Sequence, residues 1–284
     1  MPKPELRETP ASSERPELLD PLASSERPEL QQGGWRPRWP APPGVRAWCS
    51  TRNGGSSQGE YASLNLGQRV NDDPGAVAEN RRRLQATLGV RPVFLQQVHG
   101  VDTVELQGGG SDDAVADGSS TTERRLVCTI LVADCLPVLF VDRMGTRVAA
   151  AHAGWRGLAL GVLERTVATF RRGRDERDPD APPLIAWLGP CIGPKSFEVG
   201  GEVKAAFEAA DAGAAACFCP AASHGKWLAD LPALARRRLA HIGIEDVYGN
   251  DGSDAWCTVR NPALFFSHRR DGRSGRFAAC IWLD

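Results

Sequence analysis

Residues 132–157 read VADCLPVLFVDRMGTRVAAAHAGWRG. Two apolar runs, LPVLFVD and TRVAAAH, flank Met144-Gly145, a pair suited to a tight turn. Neither run alternates apolar with polar residues, so each strand is expected to be buried on both faces. With the turn at Met144-Gly145, antiparallel pairing sets Asp142 opposite Arg147 and Pro137 opposite His152. Cys135 precedes Pro137 by two residues and shares its face, because side chains alternate along a strand. Cys135 and His152 thereby become diagonal cross-strand neighbours, with Cα atoms ~7–8 Å apart. A loop one residue longer would send them to opposite faces. The apolar run is scaffold for a thiol and an imidazole at the open end of a rigid hairpin.

The rest of the 284-residue chain is 42% hydrophobic and 24% charged, a composition that can build one large core or two small ones. A formal net charge of -1 argues against a nucleic-acid-binding surface. No apolar run reaches the ~18 residues of a membrane span. The first residues, MPKPELRETPASSERPELL, lack the apolar core of an export signal. The eight cysteines are scattered, with no CxxC pair, so reduced thiols in the cytoplasm are expected. Cys217 and Cys219 are read as buried thiols.

The octapeptide ASSERPEL occurs at 11–18 and again at 23–30, within a Pro/Ser/Glu-rich segment that has little to bury. Residues 1–44 are therefore expected to be a disordered tail, with the domain running from 45 to 284. VRAWCSTR reads as its first strand. A helix follows, with Asp73 as N-cap and Pro74 in its first position. PVFLQQVHG and DTVELQ read as strands about a turn at Gly100, 107–124 as loop, and RLVCTILVA as a buried strand. Another helix is expected from Gly157 to Arg172, ended by Gly173. PPLIAWLGP is a strand, with helices near 200–210 and over Leu231–Ile242, the latter capped by Asp230. ALFFSHRRDGRSGRFAACIWL reads as two strands joined by a basic loop. Intermixed strands and helices, with hairpins among them, point to a mixed-sheet α/β (α+β) single domain.

A thiolate plus an imidazole is a good beginning for zinc, and a catalytic site needs a third protein ligand. Among five histidines, His99 is the best candidate, because QQVHG also ends an apolar strand at a glycine turn. His241, in a helical pattern, fits packing or surface, while His224 and His268 fit solvent positions. On residues alone, a His99–Cys135–His152 set competes with three unrelated structural residues. Arg156 lies in the first turn of a helix, where free N–H groups favour an anion, and Arg52 in TRNGG can offer a bidentate contact to phosphate. The competing reading of each is a solvated or structurally paired arginine.

Several longer stretches go further: STRNGGSSQGEYASLNLG, QQVHG, VADCLPVLF, AAAHAGWRG, AWLGPCIGPKSFEVG and FFSHRRDGRSGR. In type and order they resemble the laccase-domain, YfiH-like purine nucleoside phosphorylases, once described as polyphenol oxidases, over roughly residues 45 to 284. The resemblance implies Zn²⁺ held by His99, Cys135 and His152. It also implies phosphorolysis of adenosine, inosine and methylthioadenosine, and deamination of adenosine, with purine nucleosides and phosphate as small-molecule partners. In that setting Asp134 is a candidate for proton handling or for supporting a ligand, Asn65 for substrate contact, and Arg52 and Arg156 for phosphate. Where the family usually has Asp-Ala, this chain has Asp117 followed by glycine in ADGSSTTE.

Three rival readings stand beside this one. Copper-dependent phenol oxidation needs a separate cluster of imidazoles that five histidines, three of them already used, cannot supply. A metal-free hydrolase would use Cys135 as nucleophile and His152 as its base. A binding module would leave Cys135 inert.

Overall fold

The computed structural model describes residues 33–108, 112–171 and 182–284. The duplicated octapeptides and the expected helix end at Arg172-Gly173 lie outside the described residues. Residues 33–44, assigned above to the tail, include a short strand that pairs with the first long one, and Trp35 is buried against Phe265. The described body thus begins upstream of Val45.

In chain order the first strands are β1 (Gly34–Trp35), β2 (Val45–Ser50), β3 (Arg91–Phe94), β4 (Thr103–Glu105), β5 (Gly118–Thr121), β6 (Leu126–Val132), β7 (Leu136–Asp142) and β8 (Val148–Ala153). They are followed by β9 (Leu184–Leu188), β10 (Glu198–Gly200), β11 (Phe218–Pro220), β12 (Lys226–Ala229), β13 (Val247–Gly249) and β14 (Phe277–Leu283). The helices are α1 (Pro74–Leu88), α2 (Trp155–Leu160), α3 (Val162–Ala168), α4 (Gly201–Glu208), α5 (Leu231–His241) and α6 (His268–Asp271).

The strands form a sheet of order β1-β2-β14-β6-β3, a larger one of order β13-β9-β7-β8-β5-β4, and a small one, β10-β12-β11. Both large sheets mix parallel and antiparallel pairs, as the α/β (α+β) reading expects. Alternation along β7 and β8 explains their apolar run. Leu139, Val141, Val148 and Ala150 face the other large sheet, packing with Cys128, Ile130, Ala279 and Ile281. Val138, Phe140, Ala149 and Ala151 face a second core shared with Leu158, Leu163, Leu234 and Leu239 of the helices. The far side of the β14-β6 sheet is covered by Leu84 of α1. Each fully buried Leu, Val or Phe contributes ~1.5–3 kcal/mol, which anchors the hairpin between the two layers.

The hairpin register is the expected one, with Pro137 opposite His152 and Val141 opposite Val148. Gly145 takes a φ of 66° in the turn, and the Asp142 carboxylate accepts hydrogen bonds from the Thr146 and Arg147 N–H groups. Asp73 and Asp230 cap α1 and α5 by accepting from Ala76 and Ala233 N–H.

Four local expectations are corrected. Gly118–Thr121, within the stretch read as loop, is the buried strand β5, whose small residues pair with residues 148–151 of β8. The helix expected to start at Gly157 starts at Trp155 and breaks at Gly161, whose φ of 98° ends α2 before α3 begins. Only the second of the two C-terminal strands forms; His268–Asp271 is instead the short helix α6, capped by Ser267. Cys217 is buried as expected, but Cys219 is exposed on the outer strand β11.

Candidate metal centre and cleft

The open end of the β7–β8 hairpin holds Cys135 just before β7 and His152 near the end of β8. His99 joins them from the loop between β3 and β4. One ligand atom from each of the three lies within 4.8 Å of the others, the only such group of three His, Cys, Asp or Glu side chains among the described residues. Cys135 Sγ is 3.8 Å from His99 Nε2, and the two imidazole rings meet edge to face with centroids 4.8 Å apart. A tetrahedral zinc with bonds of ~2.0–2.3 Å holds its ligands ~3.3–3.8 Å apart, so the set fits a metal after small side-chain shifts.

Asp117 organises this trio. Its Oδ1 accepts from His152 Nδ1 at 2.8 Å, which leaves Nε2 of that ring for a metal. The same carboxylate accepts the backbone N–H groups of Val98, His99 and Gly100 at 3.1, 2.9 and 2.7 Å. Those bonds hold His99 at a φ of 62°, a left-handed conformation that a free chain rarely adopts. Asp117 is fully buried; burial pushes its carboxyl up, but the His152 bond and charge and the N–H groups outweigh that and leave it below its ordinary value. The resemblance marked Asp117 only as a matching acid; its role is set by the tertiary structure.

Gly154 completes the centre. A Cβ there would stand 2.9 Å from His99 Cδ2 and 3.0 Å from Cys135 Sγ, so the ligands occupy the space of its missing side chain. Gly157 is equally constrained, with the Gly100 carbonyl 2.7 Å from a Cβ placed on it. Gly118 follows the same logic: Thr103 and Thr166 hydroxyls fill the place of a Cβ, at 2.6 and 2.8 Å. The glycines of HAGWRG were the sequence signal for this close packing.

The ligands are electrostatically coupled. Burial opposes ionisation of Cys135, but the His152 charge and hydrogen bonds from both histidines overcome it and hold the thiol at about 6. Burial likewise disfavours the His152 cation, yet the Cys135 and Asp117 charges raise it to about 9. Each group thus favours the charged form of the other.

The trio opens onto a cleft of about 470 Å³, of a size that suits a small-molecule ligand. Asp134 lines it at a φ of 91°, but its carboxylate is already engaged: Oδ1 accepts from Thr258 Oγ1 at 2.6 Å and Oδ2 from the Arg269 N–H at 2.7 Å. It tethers two loops beside Cys135 instead of offering a free base. Asn65 is buried, donating to Gly67 O and Asp72 and accepting from the Gly67 and Arg276 N–H groups, so it shapes the cleft wall from behind.

Neither Arg52 nor Arg156 lines the cleft. The Arg52 guanidinium donates to the Ala62 and Pro262 carbonyls and lies over the Phe266 ring. Arg156 is exposed over Trp155. His268, expected in solvent, is exposed but sits at the cleft. The cleft arginines are Arg69, Arg81, Arg269 and Arg276, which the sequence alone did not single out.

A thiol and two imidazoles converge at a cleft on an α/β scaffold of two large sheets and a small one, as a donor set that could hold a metal ion. A family model described as multi-copper polyphenol oxidoreductase laccase matches residues 46–284, and the chain belongs to that family. It is 53% identical over 248 residues to a purine nucleoside phosphorylase of Pseudomonas aeruginosa, covering 87% of this chain and 97% of the relative. It is 50% identical over 250 residues to purine nucleoside phosphorylase YfiH of Escherichia coli, with the same coverage of both. Among solved structures it resembles protein NMB0706 of Neisseria meningitidis, with a TM-score of 0.79 and 46% identity, over 89% of this chain and 99% of that one. Among the described residues, no helix is long and apolar enough to cross a membrane.

Proposed function

We propose that this protein is a zinc-dependent purine nucleoside phosphorylase, acting on adenosine, inosine and methylthioadenosine and also deaminating adenosine. The observation that carries the reading is the convergence of His99, Cys135 and His152 at the cleft, with Asp117 orienting His152, in a chain about half identical to proteins named purine nucleoside phosphorylase. One thiolate and two imidazoles suit zinc and leave a fourth position for water or substrate. Zinc held there supplies Lewis acidity, which eases proton loss from water and polarises an electronegative substrate atom.

In phosphorolysis, an oxygen of hydrogen phosphate forms a bond to ribose C1′ while the bond from C1′ to the purine nitrogen breaks. The electron pair leaves with the purine, and the proton of hydrogen phosphate ends on the purine nitrogen. The cleft walls orient the two reactants, and the Asp134 tether keeps Cys135 in place during turnover. Purified protein incubated with adenosine, with and without phosphate, tests this by chromatography of adenine, inosine and hypoxanthine. Adenine that requires both phosphate and zinc is the expected result; a Cys135→Ala protein with full zinc and full activity sinks it.

Copper-dependent phenol oxidation finds less support, because the described residues offer one three-ligand group and no second imidazole cluster. The metal-free Cys135–His152 hydrolase has the right thiolate, but it gives no role to His99 at 3.8 Å from the sulfur. His99→Ala separates the two, abolishing a zinc site while sparing a dyad.

A further inference from the structure

The charges lining the cleft are unbalanced. Four arginines face two carboxylates, Asp113 and Asp134. Asp134 is filled by Thr258 and the Arg269 N–H, and Asp113 reaches only Arg69, at 3.5 Å. Arg81 and Arg276 make no ion pair with a carboxylate among the described residues. Arg81 donates Nε to the Leu66 carbonyl and stacks over Phe94, 3.8 Å from the ring centroid. Arg276 spends only Nη1, on the Ser274 and Gly275 carbonyls at 2.7 and 3.0 Å. Its Nε and Nη2 hold no hydrogen bond among the described residues.

One loop brings these two arginines together. Asn65 Oδ1 accepts the N–H of Gly67 at 2.9 Å and that of Arg276 at 2.8 Å, pinning both strands of chain to one point. Gly67 lies directly under the Arg276 stem, where a Cβ would meet Cγ at 2.8 Å. Arg81 is tied to the preceding residue, Leu66. Two guanidiniums with free donors therefore stand on one wall of the cleft. Arg276 lines the same cleft as His99, Cys135 and His152; burial lowers its pKa, and the Cys135 and Asp134 charges partly restore it. Both arginines are half-buried, and although the charges of Asp112 and Asp113 act on Arg81, guanidinium donors left unfilled in a partly desolvated wall favour a visiting anion.

We propose that Arg276 and Arg81, held by the Asn65–Gly67 loop, form an oxyanion subsite that takes inorganic phosphate as the attacking reactant. The inference rests on the phosphorylase reading and gives its second substrate a place. Guanidinium forks match the paired oxygens of phosphate, and the stacked and backbone-tethered arrangement limits the entropy lost on binding. Phosphate on this wall shares one cleft with His99, Cys135 and His152.

The test uses zinc-loaded full-length protein and titration calorimetry with inorganic phosphate alone, alongside steady-state kinetics. Arg276→Gln is expected to weaken phosphate binding and raise the phosphate KM by about tenfold or more, with the nucleoside KM changed less than about twofold. Arg276→Lys, which keeps charge without the fork, is expected between the two. Arg81→Gln repeats the measurement at a second position should Arg276→Gln not fold. An unchanged phosphate KM in folded, active Arg276→Gln or Arg81→Gln protein overturns the subsite and leaves the phosphorylase reading standing. Phosphate binding that needs Arg276 in a protein that cleaves no purine nucleoside keeps the anion subsite but removes both its attacking role and that reading. Arginine-dependent binding of adenosine 5′-monophosphate with none of inorganic phosphate also overturns the proposal.

Discussion

The carboxylate of Asp117 lies 2.8 Å from Nδ1 of His152 and, through its other contacts, also fixes the backbone that carries His99. One buried acid thus sets the tautomer of one imidazole and the placement of another. Asp117→Asn keeps the size and loses the charge and part of the acceptor capacity. It is expected to lower zinc affinity about 10- to 100-fold, measured by chelator competition. Unchanged affinity would make Asp117 a purely structural residue.

Gly154→Ala offers a cleaner steric test. Gly154 has a φ of -65°, which alanine adopts without strain, so only the added methyl acts. That methyl collides with His99 and Cys135. The expected protein is folded by circular dichroism but binds substoichiometric zinc. Full loading with unchanged affinity would show that the ligands can retreat together.

The coupled titration of Cys135 and His152 has a readable sign. The folded thiol is depressed to about 6, so its thiolate is present above that pH and is lost as pH falls through it. The folded imidazole is raised to about 9, so its cation persists below that pH and is lost as pH rises through it. In metal-free Cys219→Ser protein, where the remaining described cysteines other than Cys135 are buried, alkylation of Cys135 should rise with a midpoint near pH 6. A free thiol would show ~8.5. Zinc added between these limits must displace the His152 proton, releasing about one proton from the pair, measurable in weakly buffered solution.

Phe140→Ala probes the scaffold instead of the site. Phe140 is fully buried on the helix-facing side of β7. Its loss is expected to destabilise the protein by ~3–5 kcal/mol, read from the guanidinium unfolding midpoint. A loss below ~1 kcal/mol would mean that the sheet–helix layer repacks freely.

How far the molecule was legible differs from element to element. The β7–β8 register followed from two apolar runs and a two-residue turn, because pairing in a short hairpin is a local matter. The caps at Asp73 and Asp230 were legible for the same reason. Strand β5 was not: Gly118–Thr121 has no apolar periodicity, and only the alanines of β8 make a buried strand of it. Arg52 looked like an anion ligand because of its glycine-rich loop and Arg156 because of its place in a helix's first turn, yet in the fold they serve backbone carbonyls and an indole ring.

The sequence by itself determined the hairpin, its register, and hence that a thiol and an imidazole share one face; side-chain alternation along neighbouring strands requires nothing distant. It also carried motifs long enough to mark the family. Only the tertiary structure decided that Asp117 holds both histidines, that Gly154 is empty to make room for them, and that Arg81 and Arg276 line the cleft in place of Arg52 and Arg156. Those relationships join residues far apart along the chain. They depend on how two sheets and their loops pack, which no local pattern of residues encodes.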